Sequence, residues 1–301
     1  MRRKVFFAAL LALSIAASAW SAAPAPASTT PLPFPMGEQV ARAEATPPNL
    51  TAKAAIVIDA DTGKALFEKN ADQRRAPAST TKLMTLLLAV EHGGLDKVVT
   101  LPESAGKAPV GSSLTPVYPG EKMPMRDLLH ALTIKSGNDA ANAIGTIVSG
   151  SVNNFVAAMN ARAEKMGLEN THFVNPHGFP ADGHYSSARD LARITREVLQ
   201  NATCRRIIET RSHTMKPTAR RGALKLTNGY AILDKDSDYY YAPAFGVKTG
   251  YSVSSGQCFV GAAAKGGHTL ISVVLHSAQT KPEKWIDTRK LMEYGFQKLG
   301  A

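Results

Sequence analysis

From Leu83 to Val90 the sequence reads LMTLLLAV, eight residues of which only Thr85 is polar. A helix made from such a run has no polar face, so other elements must wrap it on all sides. That requires a chain able to build a core around it, and 301 residues suffice for one large domain or two modest ones. Gly93 and Gly94 are expected to end the helix. At its mouth stands a single charge, Lys82, three positions after Ser79. Residues three apart on a helix share one face, so the amine and the hydroxyl point the same way.

The beginning of the chain is of a different kind. Arg2, Arg3 and Lys4 precede an apolar stretch from Val5 to about Ala17, with Ala17 and Ala19 in an Ala-x-Ala arrangement. This layout predicts a secretory signal peptide over residues 1–23. The exported chain is then expected in the periplasm or cell envelope. Residues 24–48 are rich in Pro, Ala and Thr and read as a linker of extended character. The folded domain is expected over 49–301. Removing the leader lowers the formal charge from +11 to +8. The remaining charge is scattered, which fits a solvated surface and gives no basic-aromatic stripe for nucleic acid. The two cysteines, Cys204 and Cys258, define no disulfide scaffold in a chain this long, and whether they pair stays open.

Residues 52–70 predict two strands around the turn Asp61-Thr62-Gly63. Helices are expected from Ser79 onward, over 125–136, over 138–148 with Asn138 or a neighbour as cap, over 151–167 and over 187–200. GVKTGYSV, GQCFVGAAAK and HTLISVVLHS read as three consecutive strands, and a last helix covers 283–299. Strands at both ends and helices between them predict an α+β fold. The first hairpin would lie beside the last three strands in one antiparallel sheet of about five strands, covered by helices.

A serine hydroxyl needs a base within hydrogen-bond reach to act as a nucleophile. Lysine serves as that base when loss of hydration lowers its pKa, and the apolar run after Lys82 is the material for such desolvation. Ser79 at a helix amino end also meets unpaired N–H groups that favour developing negative charge. Alone, Ser-x-x-Lys is a weak signal that recurs by chance, and it reads first as a capping serine followed by a lysine reaching for solvent. Two further pieces bear on it. Ser136-Gly137-Asn138 falls at a helix–helix junction, and Lys248-Thr249-Gly250 falls on a predicted strand. The three pieces in this order form the set found in penicillin-binding proteins and class A β-lactamases.

With these motifs, and with stretches such as RRAPASTTKLMT, LTIKSGNDAANAI and FGVKTGYSVSSGQ, the sequence resembles the low-molecular-mass penicillin-binding proteins, specifically the serine D-alanyl-D-alanine carboxypeptidases. The resemblance covers about residues 50–300. It implies the sheet-plus-helices fold shared with β-lactamases and transpeptidases, and no cofactor. It implies that Ser79 forms an acyl-enzyme with Lys82 as its base, and that Ser136 relays a proton to the leaving amine. Asn138 would touch the substrate amide or hold Lys82. Lys248 would supply positive potential and Thr249 would bind the substrate carboxylate. Gly250 would let the substrate lie along the strand, and the N–H groups of Ser79 and Tyr251 would form the oxyanion hole. The implied partners are peptidoglycan stem peptides ending in D-Ala-D-Ala, and β-lactams. Many relatives continue into a second sheet-rich domain and an amphipathic anchor helix; this sequence ends at Ala301, which leaves membrane attachment open. Some carry a basic residue near the carboxyl end, for which Lys281, Lys284 and Arg289 are candidates.

Other readings are weaker. A β-lactamase of class A needs a glutamate-held water, and no Glu-x-x-Leu-Asn stretch lies between Asn138 and Lys248. A purely penicillin-binding, non-enzymatic protein has no use for a nucleophile–base pair. An endopeptidase or transpeptidase of the same family would carry the same motifs. His172, His177 and His184 lie in a Pro/Gly-rich loop, where a metal site is not expected. A histidine triad built on His92 or His130 lacks the Gly-x-Ser-x-Gly elbow.

Overall fold

The computed structural model describes residues 45–92, 94–278 and 282–301. The expected signal peptide, residues 24–44 of the expected linker, Gly93 and Lys281 lie outside the described residues. The first half of the chain carries β1 (Ala54–Asp59), β2 (Ala65–Lys69), a 3-10 turn (Ala78–Thr81), α1 (Lys82–His92), β3 (Val98–Thr100), β4 (Lys122–Pro124), α2 (Met125–Ile134) and α3 (Asn138–Ser149). The second half carries α4 (Val152–Lys165), α5 (Ala188–Gln200), α6 (Ala202–Glu209), β5 (Ser212–Met215), β6 (Leu224–Thr227), β7 (Ala244–Ser252), β8 (Gly256–Lys265), β9 (His268–Ser277) and α7 (Glu283–Leu299).

Five strands form one sheet in the order β2-β1-β9-β8-β7, every pair antiparallel. The first hairpin therefore pairs with the last strand, and β7 is left at the edge. In β1, Ala54, Ile56 and Ile58 enter one apolar cluster while Ala55 and Val57 enter the other. Successive strand side chains point to opposite faces, so a sheet covered on both sides needs apolar residues at every position. On one face α7 lays down Trp285, Leu291, Met292 and Phe296. On the other, α1 is the innermost helix, with Lys82 through Ala89 all buried. Asp287 ties α7 to the strand ends. Its carboxylate accepts hydrogen bonds from Thr51 N (3.0 Å), Thr51 Oγ1 (2.8 Å), Ala52 N (2.9 Å) and Ser277 Oγ (3.0 Å).

The structure departs from the sequence expectations in a few places. Ser79 lies in the 3-10 turn, and the α-helix starts at Lys82. The second helix ends at Ile134, two residues short of the expected boundary, which frees Lys135, Ser136 and Gly137 to form the junction. Of the expected caps of α3, Asn138 or a neighbour, the neighbour Gly137 takes the position, with no side-chain cap bond; Asn138 is helical and its side chain is engaged elsewhere. The helix α6 and the two small sheets β3–β4 and β5–β6 have no counterpart in the sequence reading. The small strands have three or four residues, too few for a periodic signal. Both cysteines are free and buried. Among the described residues, no helix is long and apolar enough to cross a membrane.

Candidate active site

Four segments converge on Ser79: its own turn, the α2–α3 junction, the loop 175–180 and the edge strand β7. The turn and the loop meet without room for a side chain. A Cβ on Gly178, at φ +83°, would lie 1.8 Å from Ala78 O. Strand and turn meet almost as closely: a Cβ on Gly250 would lie 3.0 Å from Pro77 O, Ala78 Cβ and Ser79 N. The sequence reading gave Gly250 to substrate approach. The structure adds an internal cause, since its bare backbone brings β7 against the amide of Ser79.

Lys82 is fully buried. Its Nζ lies 2.7 Å from Asn138 Oδ1, 2.7 Å from the carbonyl oxygen of His177 and 3.0 Å from Ser79 Oγ. Burial, with the charge of Lys248 nearby, holds its pKa well below the usual lysine range; the Asp139 carboxylate acts the other way. The neutral amine has two hydrogens and one lone pair. The two carbonyl-type acceptors at 2.7 Å take both hydrogens, because neither can donate through oxygen. In that neutral form the remaining lone pair is free to accept from the Ser79 hydroxyl at 3.0 Å; in the ammonium form Nζ donates to it.

A second lysine repeats the pattern across the cleft. Lys248, only 1% exposed, donates to Ser136 Oγ and to Thr249 O, each at 3.0 Å. Burial and the charge of Lys284 lower its pKa to about 7. Ser136 adopts φ +61°, a left-handed conformation that costs a non-glycine residue on the order of 1–3 kcal/mol. The junction that imposes it is pinned from both sides. Asn138 N donates to Ser113 O at 2.8 Å, while Asp139 Oδ1 accepts from Thr115 N at 3.0 Å and from Ala140 N at 2.9 Å. Burial raises the Asp139 pKa to about 6 against those backbone bonds.

These elements enclose a cleft of about 690 Å³. Six of the eight residues singled out from the sequence line it, namely Ser79, Ser136, Asn138, Thr249, Gly250 and Tyr251. Lys82 and Lys248 lie behind the two serines. Sequence reasoning missed three contributors. The carbonyl of His177 is a backbone group, invisible to a search by side-chain type. Ser112 and Ser113 line the cleft from a loop without a motif. Lys284 was one of three candidate bases, and the structure separates them: it lines the cleft and donates to Gln257 Oε1 at 2.7 Å, whereas Arg289 pairs with Glu293 on an exposed face.

The loop histidines are engaged with the protein. His177 Nδ1 accepts from Phe179 N at 3.1 Å, and His184 Nδ1 accepts from Val174 N at 3.0 Å with its Nε2 2.9 Å from Thr81 Oγ1. His172 Nδ1 faces the carbonyl oxygen of Gly183 at 2.7 Å. His130 stacks on His213, ring centroids 4.0 Å apart, and His92 Nδ1 meets Leu88 O of its own helix. Neither of the last two is among the residues around the Ser79 cleft.

Known proteins share this arrangement of chain and fold. The family model described as D-alanyl-D-alanine carboxypeptidase matches residues 41–279. The D-alanyl-D-alanine carboxypeptidase DacF of Bacillus subtilis is 37% identical over 251 residues, 81% of this chain and 62% of that protein. DacA of Escherichia coli, of the same description, is 34% identical over 259 residues, 83% of this chain and 62% of that protein. The chain thus spans less than two thirds of the length of these two relatives. The crystal structure of the Streptomyces K15 DD-transpeptidase matches with a TM-score of 0.77 at 33% identity, covering 83% of this chain and 99% of that one. The chain belongs to the D-alanyl-D-alanine carboxypeptidase family.

Proposed function

We propose that the protein is a serine DD-carboxypeptidase that removes the terminal D-Ala from peptidoglycan stem peptides through an acyl-enzyme on Ser79. The observation that carries this reading is the buried Lys82 amine, whose Nζ lies 2.7 Å from each of two carbonyl oxygens and 3.0 Å from Ser79 Oγ. Ser79 attacks the carbonyl of the penultimate D-Ala and its proton passes to Lys82. The developing oxyanion meets the N–H groups of Ser79 and Tyr251, a placement supported by the close approach of Gly250 to Ser79 N. The tetrahedral intermediate collapses, the C–N bond breaks, and the departing amine takes a proton by way of Ser136. Water then releases the acyl group and restores Ser79.

The substrate carboxylate is placed at the other end of the cleft, by the Thr249 hydroxyl and the positive potential of Lys248 and Lys284. A lysine with a pKa of about 7 is close to half protonated at neutral pH. An arriving carboxylate favours its ammonium form, so substrate binding itself charges this end of the site. Asn138 acts by holding Lys82. β-Lactams are expected to acylate the same serine. The basic start and apolar core of residues 1–23 support action outside the cytoplasm, in the periplasm or cell envelope.

A second reading has one observation in its favour: the well-matched Streptomyces K15 structure is that of a DD-transpeptidase. The two readings differ in whether water or an amine takes the acyl group. Purified protein is incubated with diacetyl-L-Lys-D-Ala-D-Ala, with and without an amine acceptor, and in parallel with benzylpenicillin. Free D-Ala without crosslinked product, plus a penicillin adduct on the peptide that carries Ser79, is the expected result. Crosslinked product in place of hydrolysis would establish the transpeptidase. An adduct that persists in Ser79→Ala would remove Ser79 from the mechanism.

A further inference from the structure

The stretch from Thr210 to Leu233 holds five cations, Arg211, Lys216, Arg220, Arg221 and Lys225, and no carboxylate. It therefore carries +5 of the +8 that remains on residues 24–301. No run of like charges marks it in the sequence, but the β5–β6 hairpin folds it into one surface. The strands pair Ser212 with Thr227, His213 with Leu226, Thr214 with Lys225 and Met215 with Leu224. Alternation sends Met215 and Leu226 inward, both fully buried, and leaves Ser212, Thr214, Lys225 and Thr227 exposed on the other face. Arg211, Lys216 and Arg220 stand exposed beside the strand ends. Two acids meet the hairpin from beneath. Asp127 faces His213 Nε2 at 2.8 Å and accepts from Lys216 N at 2.9 Å, and Glu121 accepts from Thr218 Oγ1; both carboxylates are buried. Elsewhere, Arg126, Arg162, Arg189, Arg205 and Arg289 each pair with a carboxylate at 2.7–2.9 Å. Among the described residues, none of the five hairpin cations has such a partner.

An exposed face of cations and hydroxyls without a counter-charge suits phosphate oxygens. The face of a two-stranded sheet presents its charges outward in one direction, as a plane of phosphates requires. None of the large apolar side chains exposed among the described residues lies on the hairpin, so contact stops at the headgroups and does not reach the acyl chains. The hairpin is also separate from the reaction site. The helix α2 has 10 residues and spans about 15 Å, with the hairpin held at Asp127 in its first turn and Ser136 beyond its last. No hairpin residue lines the Ser79 cleft. We propose that the β5–β6 hairpin is an electrostatic docking face for an anionic phospholipid bilayer, holding the exported protein by headgroup phosphates without insertion. The proposal does not depend on which reaction Ser79 performs.

The test is co-sedimentation of the exported form, freed of its leader, with vesicles of phosphatidylcholine alone or of equimolar phosphatidylcholine and phosphatidylglycerol. The wild-type protein is expected to bind the second and not the first, and to be released at high salt. A cation close to an anionic bilayer is worth roughly fivefold in partitioning, so Lys216→Gln, Arg220→Gln and Lys225→Gln combined should weaken binding ~10²-fold. Removing the same charge elsewhere, by Lys64→Gln, Lys165→Gln and Lys298→Gln combined, should cost far less, because these exposed lysines lie outside the hairpin. An unchanged urea midpoint verifies that each variant folds. Equal binding to both kinds of vesicle, a hairpin variant that binds like the wild type, or equal losses in the two triple variants would overturn the docking face. So would binding of soluble polyphosphate without binding of anionic vesicles, which would assign the hairpin to a free phosphate polymer.

Discussion

Lys82 and Asp287 are completely buried, on helices that cover opposite faces of the same sheet, and they are treated in opposite ways. Asp287, on α7, meets four donors that close on its two oxygens. Lys82, at the head of α1, meets neutral acceptors and a second lysine, and has no carboxylate within hydrogen-bond distance. Burial of a charge without hydrogen bonds is unfavourable, and each site resolves the conflict differently. At Asp287 the chain supplies donors, and the carboxylate becomes a clasp between helix and strands. At Lys82 no carboxylate comes within hydrogen-bond distance, and burial shifts the amine toward its neutral form. The first arrangement joins helix to strands; the second is the arrangement the proposed base requires.

This contrast predicts different kinds of damage. Lys82→Ala is expected to reduce the rate of Ser79 acylation by at least ~10²-fold, the low end for loss of a general base. The check is the second-order rate constant for benzylpenicillin, and acylation at near wild-type rate would remove Lys82 as the base. Asp287→Ala is expected to act on stability, because Thr51 N, Ala52 N and the two hydroxyls lose their acceptor inside the protein. Unsatisfied buried donors cost about 1–3 kcal/mol each, so a loss of about 3 kcal/mol or more in urea unfolding is expected. The fraction that remains folded should still bind penicillin, and loss of labelling in the folded protein would break the separation between the two sites.

The elements that build Asp287 and Lys82 were not equally legible in the sequence. The sheet could be read because both its faces are covered, which forces unbroken apolar runs such as AAIVID and HTLISVV. The final helix was legible by its apolar stripe, and the helix expected over 187–200 forms over Ala188–Gln200 with Ser187 as its cap. Ser79 and Lys82 could be paired from their spacing alone, but the spacing says nothing about what takes the amine's hydrogens. One acceptor is a backbone carbonyl from a loop 95 residues later. Asn138 carried the right chemistry, but its spacing could not choose between touching the substrate amide and holding Lys82, to which its Oδ1 is bonded at 2.7 Å. The clasp at Asp287 was missed altogether: a lone aspartate in a helix otherwise read as amphipathic gives no sign that strand ends will come to meet it. The short β5–β6 hairpin and α6 were missed for want of length.

A smaller effect concerns Lys248, whose pKa is about 7 in the folded protein against 10.5 when exposed. Between these values the unfolded chain binds a proton that the folded chain does not, so unfolding free energy rises with pH from about 7 upward. Lys82 acts in the same direction. Cys258 and Cys204, raised by burial to about 11 and about 12, act oppositely once free thiols begin to ionise. The rise is therefore expected between about pH 7 and 8.5, before the thiols contribute. Urea midpoints at those two values check it, and Lys248→Met should flatten the slope without inverting it. A midpoint that falls over this interval in the wild type would mean that the lysines stay charged when buried.

The finest test of the contrast adjusts the base without touching it. Asp139 is the one carboxylate that favours the charged form of Lys82, and it does so from beneath the junction. Its own pKa is about 6, so above that value it carries a negative charge. Asp139→Asn keeps an oxygen to accept from Thr115 N and Ala140 N while removing that charge. Without it, the ammonium form of Lys82 loses its favourable field and the lysine pKa drops further. The part of the acid limb of kcat/KM that lies above about pH 6 should move to lower pH, with kcat on the plateau little changed. A shift to higher pH would mean that the group titrating there is held neutral by Asp139 and is not a buried amine. An unmoved limb accompanied by a uniform fall in rate would show that Asp139 works only as a brace for the 113–115 segment.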